Sequence, residues 1–236
     1  MTDKTIPELS IVILCYRSGE SILDFARQTK QLISSLTDSF EIVLVGNYFE
    51  NSDDRTKDYI SQLEKEDAVY RGICLPKEGM MGWDMRKGLE HSRGEYICVM
   101  DGDGQFPIDS ISRCFEKIKE GGYGLVKTYR TTRGDGLYRT VISKIYNTLF
   151  KILFPHIRAK DINSKPKILT RECYSKLNLK SDDWFIDAEI MINIGKQGVK
   201  IAELPVEFEK LAGRQSFVKP SAIIEFLKNL FKYRFK

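Results

Sequence analysis

The 236-residue sequence has no uninterrupted apolar stretch approaching the roughly eighteen residues that a membrane-spanning helix requires. Its start, Met1 to Ser10, lacks the basic head and apolar body of a secretory signal. Both absences point to a cytoplasmic chain without a membrane span. Cysteine is scarce and odd in number, five in all, which excludes a complete disulfide framework. Cys15, Cys74 and Cys98 each sit in a short apolar run, as small core residues of a reducing compartment do. Only two histidines, His91 and His156, and no Cys-x-x-Cys pair leave little from which a structural zinc site could be built.

Net charge is also small, +4, but it is unevenly laid out. Residues 1–120 carry 15 basic and 22 acidic side chains, and residues 121–236 carry 22 and 11. Between Lys127 and Lys180 there are 13 basic and 3 acidic residues, a balance that suits an anionic partner or a solvated basic surface. No recognition motif or basic-aromatic strand pattern accompanies it, so nucleic acid is not expected.

The 42% of apolar residues is distributed as alternating strands and helices. Leu9 to Tyr16 is a continuous apolar run of strand length, followed by Ile22, Phe25, Thr29, Leu32, Ile33 and Leu36 at helical spacing. The unit recurs with strands at 41–45, 70–75 and 95–100 and helices near 54–63 and 83–91. Apolar strands alternating with helices predict an α/β chain whose mostly parallel sheet is covered on both faces. Beyond Gly121 the spacing predicts a strand over 124–129, a Gly/Arg loop over 133–136 and a long helix over 137–154. A strand over 166–170, a helix near 187–196, a strand over 200–208 and a final helix over 221–235 follow. The 137–154 helix is expected to carry its apolar stripe on Leu137, Val141, Ile145, Leu149, Ile152 and Leu153. No repeat or linker divides the chain, which reads as a single domain, 1–236, of two lobes, 1–122 and 123–236.

The strand at 95–100 runs into Asp101-Gly102-Asp103-Gly104-Gln105. In open parallel sheets ligands bind at the carboxyl ends of strands, and two carboxylates so close together need a cation. Oxygen-only donors favour Mg²⁺ or Mn²⁺, bridged to substrate phosphates. The competing readings are a plain surface turn and the nucleophilic Asp of a phosphatase, although three strands precede the pair here. A calcium loop of EF-hand type fails, because Phe106 and Ser112 stand where its Gly and Glu belong.

Taken together, these segments resemble the inverting family-2 glycosyltransferases of the GT-A fold, and within them the polyprenyl-phosphate (dolichyl-phosphate mannose synthase-like) sugar transferases. LSIVILCYRSGESI is similar to their opening strand, DGDGQFP to their metal segment, and KEGMMGWDMRKG, from Lys77 to Gly88, to their substrate loop. DINSKPKILTRE, starting at Asp161, aligns with the segment carrying Asp-x-x-Ser-Gly-Phe-Arg, and Asp187-Ala188-Glu189 and Leu204-Pro205-Val206 follow in order. Two features depart from the pattern. Val45-Gly46-Asn47 replaces the strand end that usually bears two adjacent Asp, with Asp53 and Asp54 downstream. Ser164-Lys165-Pro166-Lys167 exchanges a forked arginine for point charges.

The resemblance implies a metal-dependent hexosyltransferase acting on a nucleotide-diphosphate sugar. Asp101, Asp103 and Gln105 would hold Mg²⁺ or Mn²⁺, and Cys15, Tyr16, Asn47, Lys77, Gly82 and Gly102 would line the nucleotide-sugar site. A polyprenyl phosphate acceptor is already an anion and needs attraction rather than a base, a task for Arg130, Arg133, Lys165, Lys167 and Arg214. A sugar-hydroxyl acceptor in polysaccharide synthesis would instead need a carboxylate base, Asp187 or Glu189. The amphipathic helices at 137–154 and 221–236 either dock on the domain or give it a peripheral contact with the inner membrane face or a membrane-protein partner. A nucleotidyltransferase is disfavoured by the absence of a glycine-rich loop after the first strand, and a non-catalytic nucleotide-binding protein is the remaining alternative.

Overall fold

The computed structural model describes residues 6–133, 137–208 and 220–235. The chain runs Leu9–Leu14 (β1), Ser21–Ser34 (α1), Phe40–Val45 (β2), Thr56–Glu66 (α2), Tyr70–Ile73 (β3), Met81–His91 (α3) and Tyr96–Asp101 (β4). It continues with Ser110–Lys119 (α4), Leu125–Arg133 (β5), Leu137–Leu153 (α5), Lys167–Thr170 (β6), Arg171–Ser175 (α6), Ile186–Lys196 (α7), Ile201–Phe208 (β7) and Pro220–Arg234 (α8).

The strands form one sheet in the order β3-β2-β1-β4-β6-β5-β7. The first four are parallel, β6 is antiparallel to β4 and β5, and β7 is parallel to β5. Strand order reverses between β1 and β4, so a crevice opens there at the carboxyl ends of the strands. Successive side chains point to opposite faces, and both faces are dry. Ile11 and Ile13 pack with Ile22, Phe25, Ile60 and Phe115 under α1, α2 and α4. Val12 and Leu14 pack with Met85, Leu89, Phe185 and Ile190 under α3 and α7. Each such aliphatic or aromatic side chain contributes about 1.5–3 kcal/mol by leaving water.

Two expectations need correction, and one short helix is added. β1 stops at Leu14: the Cys15 amide still donates to Val45 O at 2.8 Å, but the chain then turns through Arg17, at φ 52°. The five-residue α6, too short for its periodicity to be visible in the sequence, is capped by Thr170, whose Oγ1 accepts from Cys173 N at 3.1 Å. The expected stripe of α5 is split: Val141, Ile145 and Ile152 are exposed, whereas Leu149 and Leu153 pack against the core. The helix also buries Phe150 and packs Tyr146 against the core, because ring contacts with α8, such as Tyr146 to Phe226 at 5.1 Å, fix its rotation. Of the predicted 133–136 loop, residues 134–136 lie outside the described residues.

Candidate active site at the carboxyl end of the sheet

Four segments meet where β1, β2, β4 and β6 present their site-side ends. The first is the end of β4. Gly102 N donates to Leu14 O at 2.9 Å, and a Cβ there would lie 2.8 Å from Ile13 Cγ2, so only glycine lets the turn sit this close to β1. Gly104, at φ 72°, reverses the chain so that Asp103 Oδ1 accepts the Gln105 amide at 3.0 Å. Asp101 ends the strand with its side chain 27% exposed. Two carboxylates and an amide oxygen make an oxygen-only donor set, which fits a hard divalent ion that completes its shell with water and phosphate oxygens. Among the described residues no cluster of three or more His, Cys, Asp or Glu is placed to hold a metal unaided.

The second segment is the substrate loop and α3. Lys77 forms an ion pair with Asp84 and lies 4.4 Å from the Tyr16 ring centroid. Tyr16 stands edge-on to Phe49 at 6.2 Å. Asn47 is fully buried: its Nδ2 donates to Asp84 Oδ1 and its Oδ1 accepts Leu75 N, both at 2.9 Å. Burial lifts the Asp84 carboxyl above the ordinary Asp value despite Lys77 and Asn47. Asn47 therefore anchors the loop rather than offering its amide to a base. Cys15 is likewise a core residue, its thiol fully buried and pushed well up by that burial. Gly82 donates its amide to Asp183 O at 2.9 Å, and Met80 N donates to Asp182 O at 2.7 Å, so the chain before α7 pins the start of α3.

The third and fourth segments are the chain before β6 and the first turn of α7, joined by a ladder of alternating charge. Lys167 Nζ lies 2.5 Å from Asp187 Oδ1, Lys165 Nζ lies 3.1 Å from Asp187 Oδ2, and Lys165 Nζ lies 3.3 Å from Asp101 Oδ1. Lys165 also reaches Met81 Sδ at 3.6 Å, which ties the ladder to α3. Burial would raise the Asp187 carboxyl, but Lys165 and Lys167 outweigh it and hold it below the ordinary Asp value. Burial would likewise depress Lys165, but Asp101 and Asp187 hold it above the ordinary lysine value. Lys167 moves the other way: burial, with Lys127 and Lys165 nearby, lowers it although Asp187 faces it.

The residues predicted to attract an anionic acceptor are mostly turned inward. Arg130 makes a fork with Asp161, Nε to Oδ2 at 2.6 Å and Nη2 to Oδ1 at 2.9 Å. Lys167 is fully buried on Asp187 and Ser164 O. The neighbouring Lys127 is buried on Glu203 Oε1 at 3.2 Å and on the carbonyls of Thr128 and Asp161. Buried carboxylates absorb these cations because an unpaired charge in the interior is far costlier than a paired one. The Arg133 side chain and Arg214 lie outside the described residues.

The two candidate bases separate. Both oxygens of Asp187 face ammonium groups, and its side chain is 1% exposed. Glu189, one helical face away, accepts the Lys180 and Ser181 amides at 2.9 and 2.8 Å and the Tyr233 hydroxyl at 2.5 Å, which braces α7 against α8. Sequence reasoning missed Asp84, Asp161 and Glu203 as charge partners and Phe49 as the exposed ring beside Tyr16. A lysine inside an apolar strand, such as Lys127 after Leu125 and Val126, is the signal that a buried acid stands opposite.

Residues 10–184 match the family described as Glycosyl transferase family 2. The glycosyltransferase AglD of Haloferax volcanii is 24% identical over 210 residues, covering 86% of this chain and 33% of that protein. An undecaprenyl-phosphate 4-deoxy-4-formamido-L-arabinose transferase of Salmonella choleraesuis is 30% identical over 146 residues, covering 62% of this chain and 44% of that one. The chain thus spans a third to less than half the length of these relatives. In structure it resembles glucosyl-3-phosphoglycerate synthase from Mycobacterium tuberculosis, solved with Mn²⁺, uridine diphosphate and phosphoglyceric acid. The TM-score is 0.74 at 15% identity, covering 97% of this chain and 78% of that one. At that identity the likeness is one of fold, and the fold is GT-A.

Proposed function

This chain belongs to glycosyl transferase family 2, and on that premise we propose that it is an inverting glycosyltransferase domain that moves a sugar from a nucleotide-diphosphate donor to a polyprenyl phosphate. The observation that carries the choice of acceptor is the double ion pair on Asp187, buried with an ammonium on each oxygen. A hydroxyl acceptor would need a carboxylate free to take its proton, whereas a phosphate monoanion or dianion attacks without one. The named relative from Salmonella choleraesuis is an undecaprenyl-phosphate transferase, which supports the same choice.

In this reading Tyr16 and Phe49 flank the nucleobase, and Lys77, steadied by Asp84 and Asn47, faces the nucleotide. Asp101, Asp103 and Gln105 would hold Mg²⁺ or Mn²⁺, which when bound supplies charge neutralisation for the departing diphosphate. The acceptor oxygen attacks the anomeric carbon from the face opposite the leaving group. The new C–O bond forms as the old one breaks, and its electron pair leaves with the nucleoside diphosphate. Arg133 and Arg214 are assigned to the acceptor phosphate, whereas Arg130 is committed to its fork with Asp161.

No helix among the described residues is long and apolar enough to cross a membrane. α5 and α8 nonetheless expose Ile145, Ile152, Ile224, Leu227 and Phe231 beside lysines, a face suited to the cytoplasmic surface of an anionic bilayer, where a polyprenyl phosphate resides. The test incubates the chain with radiolabelled nucleotide sugars, Mn²⁺, and either undecaprenyl phosphate in anionic vesicles or soluble oligosaccharides. Label entering the lipid fraction alone is the expected result. Transfer to oligosaccharide alone would overturn the choice of acceptor, and no transfer from any nucleotide sugar would overturn the enzymatic reading.

A further inference from the structure

Lys165 is not a surface cation near an acidic motif but a fixed one. Its ammonium has three neighbours: Asp187 Oδ2 at 3.1 Å, Asp101 Oδ1 at 3.3 Å and Met81 Sδ at 3.6 Å. The lysine side chain is 3% exposed while that of Asp101 is 27% exposed, so the pair has a protein side and a cleft side. Behind Lys165, Asp187 is held in turn by Lys167. The Thr128 hydroxyl, donating to Lys165 O at 2.6 Å, fixes the backbone that carries it.

We propose that Lys165 is a built-in cation that competes with the divalent ion for Asp101, keeping the empty site's affinity for metal low until a nucleoside diphosphate arrives with it. The inference rests on the assignment of Asp101 and Asp103 as metal donors. Its physical basis is that a carboxylate already neutralised by an ammonium at 3.3 Å gains less from a second cation, which must also repel or displace the first. The two phosphates of a donor reverse that balance. They add negative charge beside Asp101 and Asp103, so both cations can be accommodated, and metal and nucleotide bind as a coupled pair. The lysine acts here through Asp101 and is a positioning residue for the metal.

The test measures Mn²⁺ affinity by titration calorimetry and by the paramagnetic resonance of free Mn²⁺, with Mn²⁺ alone and with UDP, GDP, CDP and ADP in turn. Wild-type chain, Lys165→Met, Lys165→Gln and Asp103→Asn are compared. Lys165→Met fits the contact with Met81, and Lys165→Gln keeps a donor for Asp187, so one serves if the other does not fold. The expected result is that a nucleoside diphosphate raises wild-type Mn²⁺ affinity at least about tenfold, within the usual range of coupling between sites. Both neutral variants bind Mn²⁺ alone at least about tenfold tighter than wild type, with that coupling correspondingly reduced. A merely structural lysine would leave affinity unchanged or weaken it. Equal or weaker Mn²⁺ binding by the neutral variants overturns the inference while leaving the metal site intact. Mn²⁺ binding that Asp103→Asn does not diminish, or none in any variant with any nucleotide, removes the metal assignment itself.

Discussion

The two ends of the sheet solve the same problem, a buried carboxylate, in opposite ways. At the amino end Glu41, on β2, accepts from Ser10 Oγ at 2.7 Å, Arg71 Nη1 at 2.6 Å, and Arg93 N and Nε at 2.6 and 2.9 Å. Both arginines reach the surface, so water shares their charge and the cluster is closed on itself. At the carboxyl end Asp187 is met by two lysines that never reach water, and the chain of charge continues through Lys165 to Asp101, which opens on the crevice. The first arrangement saturates an acid; the second transmits charge from the interior to a partly exposed oxygen. A closed cluster is what tying β1, β2 and β3 to the chain before β4 requires, and an open ladder is what a site for a charged substrate requires.

The largest effect is expected from breaking the ladder at its centre. Asp187→Asn leaves Lys167 buried without its counter-ion and Lys165 with Asp101 alone, which costs about 3–5 kcal/mol of stability. Below its unfolding temperature, kcat should fall by less than about tenfold, whereas loss of a general base costs about 10²–10⁴-fold. Thermal unfolding and steady-state kinetics on the same preparation separate the two, and a thousandfold loss of kcat with unchanged stability would restore Asp187 as the base.

Breaking the closed cluster should change stability and nothing else. Glu41→Gln removes a charged acceptor of four hydrogen bonds but leaves arginines that water can solvate, so a loss of about 3 kcal/mol is expected, with nucleotide binding unchanged. Burial would raise the Glu41 carboxyl, but Ser10, Arg71 and Arg93 hold it below its ordinary value of 4.5. A depressed native pKa means that the unfolded chain binds the proton more readily. The contribution of Glu41 is therefore complete above pH 4.5 and is lost as pH falls through its lower native value. Wild type should lose stability more steeply below that pH than Glu41→Gln in urea melts taken at successive pH values. Parallel slopes would mean that Glu41 is not a source of acid lability.

The two ends also differ in how far the sequence reveals them. β1 and β4 are legible because strands buried on both faces are apolar at nearly every position, and Asp101 to Gln105 is legible because two acids and two glycines at the end of such a strand have few other uses. The ladder is not, because its acids come from far along the chain. A charge balance over 127–180 includes Lys127, Lys165 and Lys167 but omits Asp187 and Glu203, so these three lysines are counted as open basic surface when they are buried and paired inside. Asn47 misled for a related reason: its position after β2 is right for a ligand contact, but Asp84, brought in by α3, takes its amide. The stripe of α5, split between solvent and core, shows the same limit, since helical periodicity identifies possible faces and packing partners choose among them.

A matched pair of glycines sharpens the comparison at the smallest scale. Gly104, after β4, has φ 72°, and Gly121, before β5 at the opposite end of the sheet, has φ 84° with nothing within 4 Å of an added Cβ. Alanine in the left-handed region costs about 1–2 kcal/mol whatever surrounds it. Gly121→Ala and Gly104→Ala should therefore lower the unfolding free energy by similar amounts. Only Gly104→Ala disturbs the turn that lets Asp103 accept the Gln105 amide, so only it should weaken Mn²⁺-dependent nucleotide binding, measured by calorimetry on both variants. Equal nucleotide affinity in the two would mean that the turn after β4 tolerates distortion, and that the chemistry of the carboxyl end depends on the carboxylates alone and not on the backbone that presents them.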